Sequence, residues 1–352
     1  MRTIKIFVLF LFIIGCSETN LDSNRIRLGV PPHSGFSPVF IASEKGFFEK
    51  QKLDVELVIS DNPADLYLEK KIDAICSGLT ESILFFSEGH PTQIIYRFNY
   101  SLSNDLIVSS PKIKTIPELR GKKIAFNGVN TSSHIFVMQL LNKNGIREGE
   151  YSSSNLPFPK VWEELQKGNI QAGHIRGMDM TEIKKQGFNI IARSADVPDL
   201  LSDTLSVDSK FLKNHPSSIR KLVSAISEAR EFYYKNNEES LSILSQRISK
   251  SETEISEELK SVRFLTLKEN SQSLLNPDSE TAQTFYPGGG GSGFAQGQTG
   301  SMMNFASMEK RGALFIAGES IIEFLRERGQ LYRIPDLKNI FDDRFVQDRE
   351  SK

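Results

Sequence analysis

The chain has 352 residues and 39.6 kDa, with 43 Lys and Arg against 44 Asp and Glu and 39% hydrophobic residues. A pI near 6.6 excludes an electrostatic nucleic-acid binder and a polybasic membrane-surface protein, and the length exceeds one ordinary domain, so two lobes are expected. Two cysteines, Cys16 and Cys76, exclude a disulfide scaffold and a thiolate metal cluster.

Arg2 and Lys5 precede an unbroken apolar run, Ile6 to Ile14. It is too short for a bilayer, which needs roughly 20 apolar residues, and reads as the core of a signal peptide over residues 1–15. Ile13-Ile14-Gly15-Cys16 resembles a bacterial lipobox. That resemblance implies cleavage before Cys16, which becomes the lipidated N-terminus, and a polar tether over residues 16–24. The protein is then exported and anchored through Cys16 on the periplasmic or extracellular face of a bacterial membrane. Loss of residues 1–15 leaves 41 basic against 44 acidic residues, a net charge of −3. Cys76 is expected to be a buried small hydrophobe.

From Arg25 to about Val207 strand and helix patterns alternate. Strands are predicted at 25–30, 53–59, 72–77, 93–98, 105–109, 122–126, 170–175, 188–192 and 204–207. Helices are predicted at 36–45, near Leu66 and Phe85, and at 132–142, 161–167 and 180–186. Such alternation argues for α/β lobes with largely parallel sheets. Beyond Val207 the chain reads as helical. Pro216 occupies a first turn ahead of an Ile219, Leu222, Val223, Ile226, Ala229, Tyr233 stripe, and Ser251 and Glu254 form a capping box. Pro287 to Ser301 holds seven glycines and is expected to be a loop. A last helix runs from Ile316 to Arg328 and stops at Gly329.

Ligands in open α/β sheets sit beyond the carboxyl ends of strands, so the loops after strands carry the candidate site. The first holds Ser34, Gly35 and Phe36; the second holds Gly78, Leu79 and Thr80. The third, Asn130, Thr131, Ser132, Ser133 and His134, opens a helix whose orphan N–H groups suit a carboxylate, sulfonate or phosphate. Arg176 at a strand end would offer a cationic fork, and Asn99 ends a strand near a lobe crossing. Trp162 is expected to pack rather than bind. No two of the five histidines stand three to five residues apart, and there is neither a Walker loop nor a Gly-x-Ser-x-Gly elbow. No catalytic residue, metal or cofactor is therefore expected, and the protein is read as a non-enzyme.

Several segments in order resemble the extracytoplasmic solute-binding proteins of ABC importers, in the nitrate/sulfonate/taurine and thiamine-pyrimidine precursor group. They are Ala42 with Gly46-Phe47-Phe48, Leu53-Asp54-Val55-Glu56-Leu57, Asp73-Ala74 with Gly78, Leu119 to Ala125, and Phe211 with His215-Pro216 and Ala229. The resemblance covers roughly residues 25 to 245. It implies an α/β, two-lobed periplasmic-binding-protein fold of type II, a Venus flytrap whose chain crosses twice, near residues 104–106 and 201–205. Lobe 1 would comprise residues 25–104, lobe 2 residues 105–204, and the helical return to lobe 1 residues 205–352, with the Gly-rich loop at 287–301. The implied partners are a small-molecule solute, ABC permease subunits and the membrane through the N-terminal lipid. Nucleic acid is excluded and a monomer is expected. Relatives place an aromatic residue and an acidic-Pro pair where Arg176-Gly177 stands here, so the solute is left as small and organic, anionic or heteroaromatic (sulfonate, nitrate or pyrimidine-like). Alternatives are a sensor or interaction lipoprotein on the same fold, or a thiamine-pyrimidine synthase-like enzyme, which typically carries a cysteine-rich motif absent from this chain.

Overall fold

The computed structural model describes residues 25–101, 105–197, 199–275 and 311–347. The expected signal peptide and tether, with Cys16, and the Gly-rich segment 287–301 lie outside the described residues.

The chain begins with β1 (Arg25–Val30), α1 (Ser37–Glu44), α2 (Phe47–Lys50), β2 (Asp54–Ile59), α3 (Pro63–Leu68), β3 (Ala74–Gly78), α4 (Leu79–Ser87) and β4 (Thr92–Ser101). It then crosses to a second sheet. There it forms β5 (Asp105–Ser109), β6 (Lys123–Phe126), α5 (Ser132–Lys143), β7 (Ser152–Asn155), α6 (Phe158–Gln166), β8 (Ala172–Arg176), α7 (Met180–Lys185) and β9 (Asn189–Arg193). It crosses back as β10 (Ser202–Asp208). The helices α8 (Ser209–Asn214), α9 (Pro216–Lys235), α10 (Asn237–Ile248) and α11 (Glu252–Leu259) follow. After them come β11 (Val262–Phe264), α12 (Leu267–Ser273) and α13 (Ala313–Glu327).

The first sheet has the order β11-β4-β10-β3-β1-β2 and the second β7-β6-β8-β5-β9. Each lobe is thus a sheet flanked by helices, and the chain passes between them twice. Ile26, Leu28 and Val30, which share one face of β1, have no exposed surface. The apolar stripe of α9, begun by Pro216 at its first position, is buried against α1. Each such Ile or Leu contributes roughly 1.5–3 kcal/mol relative to exposure.

The expectation of largely parallel sheets needs correction. β1 is parallel to β2 and β3, but β10 runs antiparallel to both β3 and β4, and β5 antiparallel to both β8 and β9. The strands that follow a crossing enter their sheet from the opposite lobe and so run against it. β7 has no apolar residue and escapes sequence patterning; it lies at a sheet edge, parallel to β6, with its side chains largely in solvent.

The outer edge of β4 is covered by three unrelated segments. β11 pairs with Asn99 to Ser101, and the Leu265 amide donates to the Phe98 carbonyl. Farther along, Ile94 exchanges backbone hydrogen bonds with Ile340 and Asp342. Between them the fully buried Asn270 takes the place of a strand. Its Oδ1 accepts from the Arg97 amide at 2.6 Å and its Nδ2 donates to the Arg97 carbonyl at 3.0 Å. Asn270→Leu orphans both groups and is expected to destabilise by about 2–4 kcal/mol. Urea unfolding followed by circular dichroism will show the lowered midpoint.

Candidate solute-binding site

A cavity of about 340 Å³ opens between the two sheets. It lies beyond the carboxyl ends of β1, β3, β6 and β8 and at the start of the two strands that follow the crossings, β5 and β10. Both lobes line it. Of the residues singled out from sequence, Phe36, Gly78, Leu79, Asn99, Thr131, Ser132, Ser133 and Arg176 reach this cavity.

Five others do not line it. Ser34 is buried and donates its hydroxyl to Glu258 at 2.7 Å. Gly35 makes room for protein rather than for a solute, since a Cβ there would stand 2.2 Å from Asp203 Oδ2. Thr80 is buried in the first turn of α4. Asn130 sits in the left-handed region at φ 61° and donates to Gln330 across the lobes at 2.6 Å. His134 stacks on Phe126 at 4.1 Å between ring centroids, and its Nδ1 accepts from the Asn130 amide at 3.1 Å. It shapes the loop. Phe98 is also core, packed edge-on to Phe36 and Tyr96, and Trp162 packs on Phe188.

The three loops are held in place by buried polar contacts. His33 caps the first turn by accepting from the Gly35 amide, and Asn99 donates to both the Gly35 carbonyl and Asp203 Oδ2. Beneath the second loop, Ser82 shares hydrogen bonds with Ser77, Thr204 and Ser206, joining α4 to β3 and β10. Thr131 caps α5, accepting from the His134 amide.

Under the third loop lies a relay. Arg176 Nε donates to Asp105 Oδ1 at 2.7 Å, and His174 Nε2 meets the same oxygen at 2.9 Å. His174 Nδ1 lies 2.7 Å from the Ser133 hydroxyl, which accepts from the Asn127 amide. With Nε2 donating to the carboxylate, Nδ1 is left to accept from Ser133, so a neutral imidazole satisfies both of its own ring nitrogens. Burial drives the His174 pKa down against the pull of Asp105. Burial alone would raise Asp105, but Arg176 and His174 outweigh it and hold this carboxyl far below the usual range.

Sequence reasoning missed the acidic wall: Asp105, Asp203 and Glu81 all line the cavity. A signal did exist, because Asp105 and Asp203 each stand at the start of a strand that follows a crossing, where both lobes are near. The end of α5, expected to hold an anion, lies close to Glu81 of α4, whose carboxylate lines the same cavity. Burial raises the Glu81 pKa above the ordinary carboxylate value, opposed by nearby backbone amides and by Arg176. Among the described residues no group of three His, Cys, Asp or Glu is arranged to hold a metal ion. Cys76 is fully buried, and burial raises its thiol pKa well above normal.

The histidines set an acid limit. Burial lowers the pKa values of His33, His134 and His174, that of His134 to about 4. The unfolded chain therefore binds more protons below the unfolded value of about 6.5, and stability falls as pH drops through that window. Glu81, with its pKa raised, acts in the opposite sense at the lower end. The urea midpoint is expected to fall from pH 6.5 to 4.5, and His134→Gln to flatten the slope.

Residues 33–240 match the NMT1/THI5-like family. A 4-amino-5-hydroxymethyl-2-methylpyrimidine phosphate synthase of Saccharomyces cerevisiae is 24% identical over 214 residues, 55% of this chain and 62% of the yeast protein. The chain thus spans less than two thirds of the length of that relative. Among solved structures, the periplasmic aliphatic sulphonate-binding protein SsuA of Escherichia coli superposes with a TM-score of 0.68 at 14% identity. That match covers 91% of this chain and 92% of SsuA. The periplasmic nitrate-binding protein NrtA of Synechocystis gives a TM-score of 0.52 at 16% identity, over 66% of this chain and 68% of NrtA. The chain belongs to the NMT1/THI5-like family and has the two-lobed periplasmic-binding-protein fold.

Proposed function

We propose that this protein is an extracytoplasmic solute-binding protein that closes its lobes on a small organic solute and delivers it to an ABC permease. The observation that carries this is the cavity itself. Both lobes wall it, it lies at the two crossings, and preformed polar networks hold its loops. Closure follows if the solute touches both walls at once, because contacts made only in the closed state select that state. Of the expected solute classes, a heteroaromatic one suits the apolar walls Phe36, Leu79, Phe158, Leu200 and Leu201, whereas an anion would rest on Arg176.

The sulphonate- and nitrate-binding relatives support the transport reading, and their periplasmic location supports export of this chain. Within that proposal, residues 1–15 are a signal peptide, residues 16–24 a tether, and Cys16 the lipidated anchor. Lobe 1 spans residues 25–104 and 205–352, and lobe 2 residues 105–204. Among the described residues no helix is long and apolar enough to cross a membrane. The yeast synthase in the same family favours a second reading, an enzyme of pyrimidine synthesis. It predicts that a bound pyrimidine or its precursor is chemically altered on incubation, whereas a solute-binding protein returns it unchanged.

Small-angle scattering during titration with a metabolite library is expected to show compaction with at least one solute. Ser132→Phe, which fills the cleft from the end of α5, should abolish that compaction while leaving the urea midpoint near wild type. Absence of compaction across the library would overturn the proposal. Cys16→Ser expressed in a bacterial host is expected to shift the protein from the membrane to the soluble fraction and to remove the lipid mass from its N-terminal peptide.

A further inference from the structure

We propose that the cavity takes a small organic cation, a protonated amine or amidine on an apolar body, rather than a sulfonate or nitrate. This inference rests on the solute-binding reading and names its solute class. Among the described residues lining the cavity, Arg176 is the one Lys or Arg. Its Nε is engaged at 2.7 Å by Asp105. Asp203 and Glu81 face the same space, so carboxylates outnumber the cation three to one, and Asp61 adds a fourth at the exposed rim. Nearby, Lys250 is paired with Glu258 and leaves no excess positive charge, and burial holds His33 neutral.

Two independent features show that these acids are built into the site. Glu81 Oε2 is buried and has no hydrogen-bond partner, which leaves an acceptor that a donor from a solute would satisfy. The two cavity loops carry glycine where a side chain would strike a carboxylate. A Cβ on Gly78 would stand 2.3 Å from Glu81 Oε2, and one on Gly35 2.2 Å from Asp203 Oδ2. In the structure the Glu81 and Asp203 carboxylates occupy the space that these two glycines leave. An incoming sulfonate would meet three carboxylates against one guanidinium whose Nε one of them holds, with Glu81 on α4 close to the end of α5 that would otherwise attract it. A cation meets the reverse field, with Phe36 as an aromatic wall of the same cavity, while Phe158 already carries the Arg176 guanidinium over its ring at 5.4 Å.

Isothermal titration calorimetry of the purified full-length chain will use benzamidine and benzylamine against benzyl alcohol, benzenesulfonate and nitrate. The two cations are expected to bind, the alcohol more weakly, and the two anions neither to bind nor to compete. Asp203→Asn, which keeps an acceptor for Asn99, and Glu81→Gln should each weaken benzamidine at least tenfold, about 1.4 kcal/mol. Binding of benzenesulfonate or nitrate as tight as that of benzamidine would overturn the inference. So would cation affinity unchanged in both acid variants, or no binding by either cation. In each case compaction with some other solute in scattering would leave the solute-binding reading standing, and its absence across the library would remove that reading as well.

Discussion

Between β3 and β4 the first sheet would have a gap were it not for β10, which returns from the other lobe and pairs antiparallel with both. The hydrogen bonds of that one strand close the sheet, fix the two crossings and bring Asp203 to the cavity floor. Its buried hydroxyls, Thr204 and Ser206, reach Ser82 and so set the start of α4, where Leu79 and Glu81 project into the cleft. A register slip of one residue in β10 would turn Asp203 to the opposite face and bury the wrong side chains. Fold and cavity therefore share a single structural cause.

The second lobe has its own centre of constraint in Asp105. A buried carboxylate is costly unless its lone pairs are filled. Here Arg176 and His174 fill one oxygen, and the relay continues through Ser133 to the Asn127 amide. The strand that carries Asp105 is thereby tied to the loop that opens α5. The same carboxylate holds Arg176, a cavity-lining guanidinium, at the end of its strand. Asp203 and Glu81 line the same cavity.

Contacts between the lobes beyond the cleft involve the C-terminal helix. Asn130 bonds Gln330, Gln139 Nε2 donates to the Ser320 carbonyl, and Arg328 pairs with Glu148. These partners lie some 180 to 200 positions apart in the chain, so no local pattern announces them. The same holds for Asn270 against Arg97. Polar residues acting at long range look, in sequence, like ordinary helix-surface residues.

The sequence by itself determined the element types, because hydrophobic period and capping chemistry are local: β1, α1, α5, α9 and the Ser251 cap are all legible in short windows. It also pointed to loops that line the cavity between the sheets, since strand ends followed by glycine and polar caps mark sheet tops in α/β chains. What it could not assign was direction, partnership and charge balance. Whether Ser34 faces a solute or Glu258, whether His134 binds or stacks on Phe126, and whether β10 runs with or against its neighbours all depend on which distant segment lies alongside. Only the tertiary structure brought Asp105, Asp203 and Glu81 into one cavity with Arg176. Electrostatic sign there is a sum over residues separated by up to 122 positions, a quantity no window of sequence contains.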